Sequence, residues 1–448
     1  MTELTIAGMC AACGGVWQGD EALLQMCPTD VVTDSRKAKE GSLFIALRGE
    51  RTDGHKYIKD VLAKGAMAVL CEEPGEKGEP RIVVPEVLTA MRQIAACTRQ
   101  RFAYPFIGVT GSVGKTTAKE MIASVLSAKY KAYKTPGSMN GQIGIPVTLM
   151  TLSPEYEAAV IEMGISLPGE MIRIAHVVRP DHVVFTNIGD AHLEALHDRP
   201  GILREKSDIL SDMEESGVVF ANGDDTLLAA NDFGRRTVLF GLGENCHVRA
   251  EDVRTEDGVI LLCRIVAGDR DIPVRVPAYG NYMIYSVLAA AAVGLELGLS
   301  DEEIQDGLTR YNTVGHRSRV VKTALCTLID DCYNANPTSN RAAIDSMENL
   351  PGRKVCILGD MREMGANSPD LHREIGRYAL EHGISLVVTE GEQAKYISEA
   401  AGELGRHFPD RPSLLAGLSA LIRPGDVVLV KASHGASFED VAETIEKM

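Results

Sequence analysis

The stretch Thr110-Gly111-Ser112-Val113-Gly114-Lys115-Thr116-Thr117 constrains this chain more than any other. It follows an apolar run, Phe106 to Thr110, that reads as a buried strand, and it opens a helical pattern from about Lys115 to Ala128. Glycines at such a turn let backbone N–H groups approach phosphate oxygens closely, and the helix start adds positive potential. Lys115 then reaches the β and γ phosphates, and the Thr116 hydroxyl is placed to ligate Mg²⁺. The strict form of this loop has glycine at position 109, where this chain has Val109, so the loop is a variant ending in the same Gly-Lys-Thr. A strand, a phosphate loop and a helix in this order call for an open, mostly parallel sheet with its ligand at the carboxyl ends of the strands.

The flanking sequence agrees. Strands are expected at 158–162, 182–186 and 217–221 with helices between them, a β insertion at 247–277, and two helices over 283–311 broken near Gly298. A second alternating series has strands at 326–330, 354–358, 386–389 and 427–430. Ahead of the loop, Leu43 to Leu47 and Ala68 to Leu70 read as strands around a helix from Tyr57 to Lys64, and a helix from Glu86 to Phe102 ends before Pro105. Alternation of this kind gives an α/β class. We divide the 448 residues into domains 1–84, 85–314 and 315–448, in keeping with a prior of about 150 residues per domain.

Composition excludes several function classes. The formal net charge of -16 disfavours non-specific nucleic-acid binding and leaves no polybasic membrane patch. No apolar run is long enough to span a bilayer, and the N-terminus lacks the pattern of a secretory signal. The 10 cysteines are scattered, with one lone Cys10–Cys13 pair, and read as reduced residues of a cytoplasmic protein.

Two residues sharpen the phosphate site. Glu162 ends a strand just before Gly164, and His192 follows the next strand. A carboxylate and an imidazole at those strand ends are placed to complete a metal shell beside the phosphates.

From here the residues resemble the Mur ligase family, through separated motifs that run in order over nearly the whole chain. The loop from Thr110 to Thr117 is similar to that family's ATP loop, which also lacks the first glycine. The segment Pro136 to Pro146 carries Asn140, Val160 to Gly164 carries Glu162, Ala191 to Glu194 carries His192, and Arg204 to Asp208 carries Lys206. Asp34-Ser35-Arg36 and the stretch Leu43 to His55 look like the UDP-substrate domain of the branch that adds D-alanyl-D-alanine, the MurF-type branch. Asp330-Asp331-Cys332-Tyr333-Asn334-Ala335-Asn336-Pro337 and Leu358 to Gly365 are similar to two further signatures of that branch.

The resemblance implies a three-domain architecture: a small N-terminal α/β domain, a central P-loop ATPase-like domain with a parallel sheet, and a C-terminal Rossmann-like domain. It implies ATP-dependent ligation of D-alanyl-D-alanine to UDP-N-acetylmuramoyl-tripeptide, through an acyl phosphate, for peptidoglycan synthesis. ATP would be held by residues 110–117, Asn140, Asn281, Arg317, Asp331 and Asn336. Two Mg²⁺ ions would lie on Thr116, Glu162, His192 and a carbamylated Lys206, with Lys115, Glu162, His192 and Lys206 central to catalysis. Ser35, Arg36, Asp53, Gly54 and His55 would meet the UDP substrate, and Lys431 and His434 the dipeptide. The enzyme is expected to act as a monomer, with no nucleic-acid partner and no membrane span.

The chain departs from the family pattern at two places. Gly280-Asn281-Tyr282-Met283-Ile284-Tyr285-Ser286 lacks the usual histidine and both asparagines of a helix-opening stretch, and His434 stands where an arginine is usual. Two alternatives follow: a sibling ligase adding the third amino acid, or a non-catalytic nucleotide-binding relative.

Overall fold

A computed structural model describes residues 2–49, 52–190, 193–256, 258–348 and 350–448, with Leu193 described by its backbone. The α/β class and the three-sheet organisation expected from the sequence are both present. The first sheet contains β1 (Val16–Trp17), β2 (Asp30–Val32), β3 (Ser42–Ile45), β4 (Ala68–Cys71) and β5 (Arg81–Val83), in the order β1-β5-β4-β3-β2. All neighbours are parallel except β1 and β5.

The second sheet is built from β6 (Phe106–Thr110), β7 (Ala132–Lys134), β8 (Ala158–Glu162), β9 (His182–Phe185), β10 (Val218–Asn222), β11 (Arg236–Gly241), β12 (Val248–Glu256), β13 (Ile260–Ala267) and β14 (Arg270–Val276). Its order is β14-β13-β12-β11-β10-β9-β6-β8-β7, so β6 lies between β8 and β9. The expected insertion at 247–277 is a continuation of this sheet: β12, β13 and β14 run antiparallel and extend it beyond β11. Strands 106–110 and 158–162 are buried along their full length, as a sheet covered on both faces requires. One face packs on the helices Lys115–Leu126, Ile284–Glu296 and Asp301–Thr309. The break between the last two is set by Ser300, whose side chain caps the helix that follows and whose N–H is held by Glu303.

The third sheet has β15 (Arg319–Lys322), β16 (Cys326–Asp330), β17 (Lys354–Leu358), β18 (Leu386–Glu390), β19 (Gly405–Phe408) and β20 (Asp426–Lys431), ordered β15-β16-β20-β17-β18-β19. Only β15 is antiparallel to its neighbour.

The cores are joined unequally. Leu4, Ile6 and Met9 of the first unit belong to the same apolar cluster as Phe106 and Ile161 of the second sheet. The third unit keeps its core in two clusters on either side of its own sheet, and Tyr279 is the residue from the middle unit that joins one of them. Among the described residues no helix is long and apolar enough to cross a membrane.

Candidate active site

Where β6 ends, Gly111 takes φ 146° and a Cβ there would stand 2.0 Å from Thr186 Oγ1. Gly114 takes φ 80° as it opens the helix Lys115–Leu126. Both conformations favour glycine. Val109, by contrast, sits inside β6 paired with Glu162 and Val184, so an apolar residue is at home where the strict motif has glycine. The segment after β9 fastens the loop: Ser112 N–H donates to Asn187 O at 3.0 Å and Val113 N–H to Asn187 Oδ1 at 3.0 Å. Ser112 Oγ bridges to Gly189, donating to its carbonyl and accepting from its N–H.

The loop opens onto a cavity of about 530 Å³ between the second and third units. Gly114 to Thr117 line it together with Asn140, Glu162, Arg317, Asp331, Asn336 and Lys431. Its far end, bordered by Asn222 to Leu227 and Tyr282 to Ser286, lies above β10. That strand is two away from β6, a displacement of about 10 Å. Glu162 lies on the opposite side of the loop, at the end of β8.

Glu162 is 1% exposed, and its neighbours keep it from being an uncompensated buried charge. Thr116 Oγ1 stands 2.8 and 2.9 Å from its two oxygens, and Asn140 Nδ2 donates to Oε1 at 2.7 Å. Lys119, fully buried, approaches Oε2 at 3.5 Å while donating to Thr135 O and Gly137 O. The same lysine therefore fixes the segment that carries Asn140. Nothing in the sequence singled out Lys119; its position one helical turn after Lys115 was the available signal.

Lys115 Nζ donates to Gly111 O at 2.8 Å and Ser112 O at 3.3 Å. Enclosure lowers the pKa of its ammonium below the usual lysine value; Glu162 and Glu363 oppose the shift and Arg317 adds to it. Lys206, on the helix Arg199–Ser207, is fully buried and does not line the cavity. Its Nζ has no hydrogen-bond partner among the described residues. Burial first, and Lys115 second, push its pKa well below the usual value. His192 lies outside the described residues.

The third unit closes the cavity. Tyr333 packs against two groups, with the Arg317 guanidinium 3.6 Å from its ring centroid and the His434 ring stacked at 5.1 Å. Its hydroxyl is hydrogen-bonded to Ser138 of the second unit. Arg341 approaches Asp190 at 3.6 Å across the same interface, and Arg199 holds that carboxylate at 2.9 Å. The sequence marked Tyr333 only as a member of the Asp330–Pro337 signature, without a role, and did not mark Arg341.

Several sequence-stated assignments meet a different geometry. Lys431 is 2% exposed and its ammonium is taken by Asp331 Oδ2 at 2.6 Å and Asn334 O at 2.9 Å, although it still borders the cavity. Asn336 spends its side-chain oxygen capping the helix Pro337–Met347. Asn281 is exposed and does not line the cavity; Tyr282, Met283, Tyr285 and Ser286 do, because the turn into the helix Ile284–Glu296 carries these side chains inward. Thr110 and Gly111 lie beneath the loop rather than on the cavity wall. His434 has a side chain 69% exposed, stacks on Tyr333 and lies 3.7 Å from Glu439.

None of Ser35, Arg36, Asp53, Gly54 and His55 lines the cavity. Arg36 pairs with Asp34, whose carboxyl it holds down to about 2. His55 is buried with both ring nitrogens engaged: Nδ1 donates to Asp53 Oδ1 at 2.7 Å, and Nε2 accepts from Glu72 N–H. It holds its loop instead of offering a free donor. Gly54 N–H donates to Leu47 O. Glu50 and Arg51 of this motif lie outside the described residues.

Comparison with known proteins agrees with this geometry. The chain matches the Mur ligase middle domain over residues 109–294, the Mur ligase glutamate ligase domain over 316–434, and the Mur ligase family catalytic domain over 29–103. It is 35% identical to the UDP-N-acetylmuramoyl-tripeptide--D-alanyl-D-alanine ligase of Bacillus subtilis, over 93% of this chain and 92% of that one. Identity to the Escherichia coli protein of the same name is 34%, over 100% and 99% of the two chains. The crystal structure of MurF from Acinetobacter baumannii superposes with a TM-score of 0.92 at 31% identity, covering 99% of each chain. The MurF ligase of Thermotoga maritima in complex with ADP superposes with a TM-score of 0.85 at 29% identity, covering 93% of this chain and 97% of that one. With likeness of this extent running through all three units, the chain belongs to the Mur ligase family, in its MurF-type branch.

Proposed function

We propose that this chain is the ATP-dependent ligase that joins D-alanyl-D-alanine to UDP-N-acetylmuramoyl-tripeptide, completing the pentapeptide precursor of peptidoglycan. The observation that carries the reading is the cavity itself: a phosphate loop and a buried carboxylate on one wall, with Arg317, Asp331 and Tyr333 on the other. Hydroxide is a poor leaving group, so a carboxylate must be activated before an amine displaces it. The terminal carboxylate of the tripeptide attacks the γ-phosphorus of ATP, the bond to the β-phosphate oxygen breaks, and ADP leaves. The dipeptide amine then adds to the carbonyl carbon of the acyl phosphate. The tetrahedral adduct collapses with loss of phosphate and of the proton from nitrogen.

The protein's part is to position reactants and balance charge. Lys115 exchanges its loop carbonyls for the β and γ phosphate oxygens. Arg317 faces the same oxygens from the third unit, and burying these charges together favours closure on nucleotide. The residues fit Mg²⁺: Thr116, Glu162 and His192 are hard or borderline donors, and Asn140 orients the carboxylate. Lys206 fits carbamylation, because a buried amine without a partner among the described residues and with a depressed pKa is neutral enough to take up CO₂, and the carbamate is an anionic oxygen ligand. Bound Mg²⁺ would neutralise phosphate charge and draw the substrate carboxylate to the reacting phosphorus.

Ser35 and the exposed Arg36 supply groups for the UDP moiety, with Asp53, Gly54 and His55 shaping the adjoining loop. We take the domains to divide near residues 84 and 314. Ten cysteines without a disulfide suit a reducing cytoplasm, where we expect the enzyme to work as a monomer. The test is ADP release measured with UDP-tripeptide and D-alanyl-D-alanine separately and together, with the product identified by mass. Release that needs both substrates, and a product heavier by the dipeptide less water, supports the reading. ADP release indifferent to the dipeptide refutes it.

A further inference from the structure

The dipeptide brings one fixed negative charge, its C-terminal carboxylate, into a crevice whose cations are mostly engaged. Lys431 is held by Asp331, Arg199 and Arg341 share Asp190, and Arg319 pairs with Asp330 and Glu446. Arg317 lies flat on Tyr333 at the nucleotide side. Arg362 differs. Its side chain is exposed, and among the described residues it has no acidic partner and its guanidinium bonds only to Gly435 O, at 2.8 Å. A guanidinium holds more donors than one carbonyl can use.

Its place in the fold is fixed from both sides. Arg362 follows β17 in the turn Gly359–Met364, and its N–H donates to Ser433 Oγ at 3.0 Å. Ser433 N–H in turn donates to Asp360 O, so the turns after β17 and β20 are knit together. The first of these turns faces the phosphate loop: Glu363 acts electrostatically on Lys115, and Gly365 lies within 3.6 Å of Glu194 of the middle unit, measured from where a Cβ would stand. Glu363 takes φ 63°, a left-handed bend that turns the chain sharply between Arg362 and the residues after it. A dipeptide spans at most about 7 Å. Arg362 does not line the cavity itself; a dipeptide whose amine reaches a carbonyl above Lys115 would extend from the cavity towards this turn, which faces Lys115 through Glu363.

The geometry points to Arg362 as the residue that grips the carboxylate of the incoming dipeptide, with His434, one residue from Gly435, as a secondary donor. Arg362 is the stronger of the two because its charge is permanent and its donors are paired in a plane, whereas His434 already has Glu439 at 3.7 Å. The inference rests on the functional reading above and names the residue that gives it specificity for a free C-terminus.

The test compares D-alanyl-D-alanine with its C-terminal amide in wild type, Arg362→Leu and Arg362→Lys. Wild type should prefer the free acid. In Arg362→Leu the KM for the acid should rise about 10- to 100-fold. The acid-over-amide preference should shrink by the same factor, with the KM for ATP and for UDP-tripeptide within about twofold of wild type. Arg362→Lys should fall between. Unchanged nucleotide KM serves as the control for folding. A leucine variant that keeps the wild-type preference overturns the inference while leaving the ligase reading intact. A wild type that forms no pentapeptide product overturns the reading, and the inference with it.

Discussion

Thr116 Oγ1 lies within 2.9 Å of both carboxylate oxygens of Glu162, so a single hydroxyl from the phosphate helix closes over the whole carboxylate at the end of β8. Lys119 adds a buried cation at 3.5 Å. Glu162→Ala removes the anion that both face. We expect ligation to fall at least about 100-fold and stability to fall by about 3–5 kcal/mol, because Lys119 is left with less compensation. ADP release and a urea titration measure the two effects, and a variant that is inactive yet fully stable would contradict the structural half.

Lys115→Ala leaves the loop backbone fastened by Asn187 and Gly189 but removes the ammonium that serves the phosphates. The expected loss in kcat/KM is at least about 100-fold, with an unchanged melting temperature to within a degree or two. Most of the wild-type turnover at saturating ATP would refute this role.

Lys206 gives opposite signs for stability and activity. In chelated, bicarbonate-free protein its amine is buried without a partner among the described residues, so Lys206→Met should be more stable by about 1–3 kcal/mol. Ligation by the same variant should be almost lost. In Lys206→Ala, acetate or formate should restore part of the activity by standing in for the carbamate. Failure of every small carboxylate to do so, with mass analysis showing unmodified Lys206 in active wild type, would exclude the modification.

Tyr333→Phe deletes the hydroxyl that reaches Ser138 across the crevice. A lost hydrogen bond of about 1 kcal/mol predicts a kcat/KM lower by about 5-fold. Tyr333→Ala also removes the surface on which Arg317 and His434 lie and should cost more. Scattering measured with nucleotide should show a larger radius for the alanine variant than for wild type; equal radii would argue against Tyr333 as a latch.

His372 supplies a pH-dependent support for the third unit. It is fully buried, its Nε2 accepts from Met361 N–H at 3.0 Å, and burial lowers its pKa below the usual 6.5. The unfolded chain then binds more protons than the native one below about pH 6.5, so stability falls on acidification until the folded pKa is passed. Above 6.5 the contribution is complete. His372→Gln should reduce the stability difference between pH 7.5 and pH 5.5, leaving the part due to His182, which burial also lowers. An identical difference in wild type and variant would remove His372 from the account.

The sequence was legible where chemistry demands a residue type at a fixed local spacing. The loop from Thr110 to Thr117 and Glu162 at its strand end are of this kind, and their strands lie where the apolar runs placed them. It was illegible where partners come from distant segments. Tyr333 and its partners Arg317, His434 and Ser138 are four residues from three regions of the chain, and no local pattern marks that cluster. Lys119 reads as an ordinary helix lysine until the fold folds Thr135 and Gly137 over it. The short strands β7, β15 and β19 carry too few apolar residues to be distinguished from loops. Asn281 and its neighbours differ by the facing of a single turn, which spacing alone leaves open.

The shared apolar cluster that runs from Leu4 to Phe233 has a consequence for how the molecule comes apart. Residues on both sides of the first junction lose the same contacts together, so the first two units should melt as one cooperative block. The third unit meets the second through polar and glycine contacts around the crevice, such as Tyr333 with Ser138 and Thr338 with Gly189, and among the described residues shares with it the single buried side chain of Tyr279 rather than a continuous apolar cluster. Calorimetry should therefore resolve two heat-absorption peaks. A nucleotide spanning the crevice should draw them towards a single peak, since a ligand bound to both jaws is released only when either one unfolds.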